Sequence, residues 1–362
     1  MHVGLSVMFQ ALEEGRSDLD VYRDNVELAL AAEPLGFESV WTAEHHFTDY
    51  VVSPNPMQFL TYVAAKTERV RLGSMVMVLP WHDPVRVAEE VAVVDNLSGG
   101  RVILGVGRGL GPIEFDGFRL EMGESRQRFT EYATAITEAL ESGLIAHSDG
   151  LYEQPPREIR PRPAFSFRGR VYASAISPES HRIMARLGYG LLIIAQKPWE
   201  TTIAEVTEYR TIFEEVNGFP PPRPLLVNFT CISESSSEAE ELHSEYGLAY
   251  SQSAVEHYDF TNERLATVNG YEYYARLRER IQRHGLRQFA QFLADLQIFG
   301  DPGEVTERTI DRMRALDAAG VINVFGFGGM PIALARKSME LYAREVLPVL
   351  ASTDAHRHLV VV

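Results

Sequence analysis

Glu44, His45 and His46 stand in a row just past a short run of strand-forming residues, Glu38 to Thr42. A carboxylate beside two imidazoles can move protons near neutral pH or ligate a metal. Neighbouring side chains on extended backbone point to opposite sides, so His45 and His46 make a poor chelating pair. The spacing predicts one imidazole facing an open site and the other anchoring its own loop. A hydrogen-bonded buried pair and, more remotely, a metal-dependent hydrolase are the alternatives. A second group follows at Gly105-Val106-Gly107-Arg108-Gly109-Leu110-Gly111. Alternate glycines bare the backbone N–H groups, and a guanidinium fork suits a phosphate. Leu110 stands where the dinucleotide fingerprint needs glycine, so this is not that motif. It also suits a tight loop with a solvated arginine. Arg126 would add a second cation, and Ser177 and Ser180 lie where a helix should begin, as an anion site or as ordinary caps.

These residues need a scaffold that brings them to one side. Strand-like runs occur at His2–Phe9, Glu38–Thr42, Val70–Leu79, Arg101–Val106, Arg170–Ser174, Gly190–Ile194, Leu225–Ile232 and Val321–Phe325. Helical patterns alternate with them. One opens with Ser17 and Asp20 in a capping-box spacing, another with Pro84 in its first turn. Alternating strand-then-helix units predict a single (β/α)₈ barrel over residues 1–350, with an open doubly wound sheet as the other possibility. Two excursions break the repeat, at 147–169 after the fourth strand and at about 250–298 after the seventh; residues 351–362 read as a tail. In a barrel the histidines, the Arg108 loop and the serines all follow strand ends, so they share one mouth. Together they describe a site for a phosphate-bearing cofactor or substrate with imidazole nearby.

The 362 residues carry 34 Lys plus Arg against 50 Asp plus Glu, a formal charge of −16. That balance opposes nucleic acid and anionic lipid as partners. Cys231 is the one cysteine, so no intrachain disulfide or multi-cysteine metal site can form. The start of the chain lacks a signal-peptide pattern and no apolar run reaches the length of a membrane span, so a cytoplasmic protein is expected.

The chain resembles the bacterial luciferase-like monooxygenases, most of all the alkanal-monooxygenase α-subunit branch. The stretches that carry the resemblance are GFESVWTAEHHFTDY (36–50), VRLGSMVMVLPWHDPVRVAEEVAVVDNLSGGRVILGVGRGL (70–110) and ESRQRF (124–129), with VYASAISPES (171–180) and FGDPGEV (299–305) as weaker matches. It implies a two-component enzyme. Reduced FMN arrives from a separate NAD(P)H:flavin reductase, reacts with O2 to a C4a-peroxyflavin and oxygenates a small organic substrate. By position, His45 matches the acid/base histidine of that chemistry, and Glu44 and His46 hold its loop. Met75–Val76 matches a cis peptide behind the flavin ring, and Arg108, Arg126, Ser177 and Ser180 match the ligands of the FMN phosphate. The 250–298 insertion matches a lid. A dimer is expected on the helices near 56–66 and 84–97, homomeric or with a related subunit. Three positions depart from the α-subunit. Ile176 replaces an acid, Gly107 a reactive cysteine and Gly111 a tyrosine, which puts light emission and long-chain aldehyde specificity in doubt. The wider family also holds F420-dependent hydride-transfer enzymes, and a flavin-binding protein without turnover is a further alternative. No resident metal is expected.

Overall fold

The computed structural model describes residues 1–148, 150–174, 178–268 and 271–353. Eight parallel strands close on themselves: β1 (His2–Val7), β2 (Ser39–Thr42), β3 (Arg71–Ser74), β4 (Val102–Gly107), β5 (Val171–Ser174), β6 (Gly190–Ile194), β7 (Leu225–Ile232) and β8 (Gly320–Val324). Each pairs with its sequence neighbour, and β1 closes the ring against β8 with His2 opposite Gly320. Helices follow the strands and cover the outside, so both faces of each strand are buried and the strands read as continuous apolar runs. The (β/α)₈ barrel expected from the alternation is the fold observed.

Local signals place the helices. Ser17 accepts from the Asp20 amide, Asn55 from Gln58 and Asp83 from Arg86, while Asp301 and Glu304 form a complete capping box. The barrel interior is plugged by Trp41, Ile103, Tyr172, Leu192, Val227 and Ile322. Trp41 is fully buried, and Gly73 faces it because a Cβ there would lie 2.1 Å from the indole. Below the plug, Arg170 grips buried Asp95 through both guanidinium nitrogens, at 2.8 and 3.1 Å.

One sequence expectation needs correction, and three regions take forms that the spacing left open. The run Val70–Leu79 is not one strand: it breaks after Ser74, resumes as Met77–Val78 beside β4 and ends in a 3₁₀ turn, Leu79–Trp81. The break coincides with a cis Met75–Val76 peptide bond. The 147–169 excursion is partly ordered as an antiparallel hairpin, Leu144–His147 with Gln154–Glu158. The helix after β7 runs from Ser236 through a π-turn to Tyr258, so the first part of the insertion is helical. A short strand, Ile298–Gly300, extends the sheet beside the end of β7. The rest of the insertion builds a small core of its own, in which Phe260, Tyr271 and Tyr274 pack with Trp81 and Phe115 from the barrel loops.

Candidate active site

The loops after β2, β3, β4 and β6 and the helix Pro178–Leu187 after β5 enclose a cavity of about 1060 Å³, open mouth included, at the C-terminal end of the barrel. Glu44, His45, Met75, Val76, Arg108, Arg126 and Ser180 all contribute to its wall. Those sequence candidates therefore converge on one space. His46 does not line it: its ring turns to Glu44, Trp81 and Phe118. The divergence expected of adjacent histidines is what the backbone produces. Ser177 lies outside the described residues, as does Ile176.

Glu44 is fully buried and ties two loops together. One carboxylate oxygen accepts from His46 Nε2 at 3.1 Å and His82 Nε2 at 2.7 Å; the other accepts from the Val78 amide at 2.8 Å. Burial pushes this carboxyl up, but the His46 and His82 hydrogen bonds outweigh it and hold it below the usual range. His82 is correspondingly held above the ordinary histidine value, because its bond to Glu44 overcomes the opposing cost of burial.

His45 belongs to a second network, centred on a residue that the sequence reading passed over. Glu114, in the first turn of the helix Pro112–Phe118, accepts from His45 Nδ1 at 3.0 Å and from the His46 amide at 3.0 Å through the same oxygen. Its other oxygen lies 3.5 Å from Nε2 of buried His257, whose Nδ1 is 2.8 Å from the Thr48 hydroxyl. Burial works against ionisation of Glu114, yet the His45 charge and the His257 and His45 hydrogen bonds bring it down to about 2. An ionised carboxylate only accepts, so the proton on this side of His45 sits on Nδ1. Nε2 is left facing the Tyr258 hydroxyl at 3.4 Å, beside the cavity. Burial first, then neighbouring Tyr50 and Glu114, keep Tyr258 protonated far above neutral pH. Gly111 makes this network possible. A Cβ there would stand 2.7 Å from Glu114 Oε2 and 3.3 Å from His257 Nε2.

Donor atoms of His45, Glu114 and His257 all lie within 4.8 Å of one another, a separation that also suits a divalent ion. His46 has no part in that cluster. The chelating pair weighed from the sequence is therefore replaced, as a metal arrangement, by one that only the tertiary fold assembles.

The same cavity wall also carries two cations and a hydroxyl, Arg108, Arg126 and Ser180. The Arg108 guanidinium lies over the Tyr271 ring at 4.1 Å; the Tyr271 hydroxyl donates to the Gly109 carbonyl at 3.1 Å and meets Ser125 Oγ at 2.9 Å. The insertion thus reaches down to Arg108. The Met75–Val76 cis bond and Gly107 also line the cavity. A Cβ at 107 would fall 2.4 Å from Val76 Cγ2, so a flat wall there requires glycine. Two guanidinium groups, a bare glycine beside the cis bond and an imidazole on one wall are chemistry that fits a flat ring carrying a phosphate tail.

Glu114, His257, Tyr258 and Tyr271 were not singled out from the sequence. Glu114 looks there like an ordinary first-turn acid, and His257 like a helix residue of an insertion. The one available signal was the Pro112-Ile113-Glu114 helix start directly after the Arg108 loop, which puts an acid at the mouth.

The luciferase-like monooxygenase family model matches residues 1–321, and the chain belongs to that family of enzymes. It is 24% identical to the oxygenase component of the flavin-dependent trigonelline monooxygenase of Acinetobacter baylyi over 99% of this chain and 98% of that one. Identity is 26% with the alkanal monooxygenase alpha chain of Photobacterium leiognathi, over 95% and 97% of the two chains. With the protein y4vJ of Sinorhizobium fredii it is 32%, but the match spans only 50% of this chain and 51% of that relative. Among solved structures, the monooxygenase RslO1 of Streptomyces bottropensis superposes with a TM-score of 0.78 at 25% identity, over 97% of this chain and all of that one. The oxygenating constituent of 3,6-diketocamphane monooxygenase of Pseudomonas putida, solved with FMN, shares the fold at a TM-score of 0.73 and 19% identity, over 96% and 98% of the chains. No helix among the described residues is long and apolar enough to cross a membrane.

Proposed function

We propose that this protein is the oxygenase component of a two-component FMN-dependent monooxygenase, fed with reduced FMN by a separate NAD(P)H:flavin reductase in the cytoplasm. The observation that carries the reading is one cavity whose wall holds Arg108, Arg126 and Ser180 together with His45, the Met75–Val76 bond and bare Gly107. The guanidinium pair and Ser180 would hold the phosphate, with Ser177 as a further ligand, and Met75, Val76 and Gly107 would support the ring. Bound reduced flavin supplies the two electrons that activate O2, so one oxygen atom enters the substrate and the other leaves as water.

The protein's own residues do the rest. Glu44 fixes the loop that carries His45 and His46 to the one that carries Val78 and His82. Glu114 holds His45 through Nδ1 and leaves Nε2 to hold or pass a proton at the cavity. Trp81, Phe129, Tyr258 and Tyr274 line the space and exclude water, which keeps activated oxygen from escaping as hydrogen peroxide. Exposed Tyr62, Val93 and Leu97 on the helices Pro56–Ala64 and Pro84–Ser98 support the dimer on those faces. A monomer in light scattering at micromolar concentration would remove it.

Anaerobic titration with reduced FMN and with reduced F420, followed by admission of air, tests the proposal. Expected are tight binding of FMN over F420 and aerobic reoxidation of the bound flavin in more than one phase. Reoxidation at the protein-free rate, or preference for F420, would refute it.

A further inference from the structure

A second cavity adjoins the first and shares Ile194, Gln196, Tyr258 and Tyr274 with it. It lies under the insertion, with about 560 Å³ of space counting its open side. From the chemistry of its walls we infer that it is the substrate slot of the proposed oxygenase, and that its substrate is an uncharged aromatic ring bearing one hydroxyl, a phenol. The inference rests on the reading just given and names its substrate class.

Three observations support it. First, flat rings make the walls. Tyr250 stacks on Phe229 with centroids 3.8 Å apart and planes 25° apart, and Tyr50 stacks on His257 at 4.7 Å and 20°. Phe260 and Tyr274 form a further parallel pair at 6.1 Å and 14°. Such surfaces favour a planar aromatic guest over a flexible chain, because rings gain from stacked and edge contacts beyond the area they bury. Second, no Asp, Glu, Lys, Arg or His lines the slot among the described residues. A carboxylate or ammonium entering it would lose its hydration with no counter-charge, so charged substrates are disfavoured. Third, a buried hydroxyl is left over. Ser251 lines the slot and is 1% exposed, and its hydroxyl has no hydrogen-bond partner, whereas the Gln297 amide is fully engaged with Phe229 N, Ala195 O and Leu293 O. An unpaired buried hydroxyl is a standing cost that a ligand hydroxyl removes. Tyr258, at the junction, lies between the slot and His45.

The reaction balances with the partners already named. A ring C–H becomes C–OH with one atom of O2, the O–O bond breaks, and the other atom leaves as water. Reduced FMN gives two electrons and two protons and ends as FMN.

The test uses the full-length protein loaded with FMN and four probes: 2-naphthol, naphthalene, 2-naphthoate and decanal. Equilibrium dialysis is expected to show naphthol bound at least about 10-fold more tightly than naphthoate, the penalty of an uncompensated charge. Naphthol should also bind a few-fold more tightly than decanal. Ser251→Ala should weaken naphthol about 3- to 10-fold, the value of one hydrogen bond, and leave naphthalene unchanged. Ala254→Phe, which fills the slot from its wall, should abolish binding of both arenes while FMN still binds. Under turnover with reduced FMN and O2, mass spectrometry should find a dihydroxynaphthalene. Naphthoate or decanal held as tightly as naphthol, with FMN bound normally, overturns the substrate class alone. Failure of FMN itself to bind overturns the oxygenase reading.

Discussion

Glu114→Gln is the substitution that probes the site most directly. Glu114 is buried and receives the His45 imidazole and the His46 amide on one oxygen, each at 3.0 Å, with His257 3.5 Å from the other. Its carboxyl is lowered from 4.5 to about 2, so ionisation favours the folded state. At about 1.36 kcal/mol per unit, that displacement sets an upper bound of about 3 kcal/mol. His257 is itself held toward neutrality by burial and contributes less than a full charge, which brings the expectation to about 2 kcal/mol. The amide of Gln can still accept from His45 and His46 but carries no charge, so the variant should lose about 1–2 kcal/mol at pH 7. A group whose folded value is depressed stabilises above its unfolded value and loses that contribution as pH falls toward the folded one. The gap in unfolding free energy between wild type and variant should therefore be constant above about pH 5.5 and narrow below about 4.5. Denaturant melts across this range measure it. Oxygenation should fall about 10- to 100-fold while FMN affinity changes less than about 3-fold, since the carboxylate orients His45 without touching the phosphate end. A variant as stable as wild type at pH 7, a gap that persists unchanged to pH 3.5, or FMN affinity falling in step with activity would refute this account.

Arg108→Ala should weaken FMN about 10- to 100-fold, as expected for loss of a charge-assisted phosphate contact, while riboflavin, which has no phosphate, binds as before; equal losses for both ligands would place the arginine elsewhere. Gly107→Ala should cost about 1–3 kcal/mol in unfolding and impair FMN binding through the 2.4 Å clash with Val76, and adding Val76→Ala should recover most of both. A double variant no better than the single one would sink that pairing. Dialysis against a strong chelator should leave FMN-dependent turnover intact; loss that is restored by one divalent metal would reassign His45, Glu114 and His257 as a metal centre.

The barrel order, the mouth-facing position of the Glu44-His45-His46 loop and the arginine loop after β4 were all legible in the chain, because each rests on local periodicity or on residues adjacent in sequence. The divergence of His45 and His46 follows from two-residue alternation alone. The cis Met75–Val76 bond was implied only by the family resemblance, and the interruption of Val70–Leu79 there was not foreseen, since the residues themselves read as one apolar strand. What tertiary structure alone decided is who holds His45. Glu114 stands 69 residues away and His257 lies in the insertion after β7, and nothing in spacing or hydrophobic pattern ties either to the histidine. The aromatic slot likewise draws Tyr50, Phe229, Tyr250 and Phe289 from four separate segments. Helices and strands declare themselves through neighbours a few residues apart, whereas a site made where loop ends meet depends on closing the ring of strands, which brings those ends to one face.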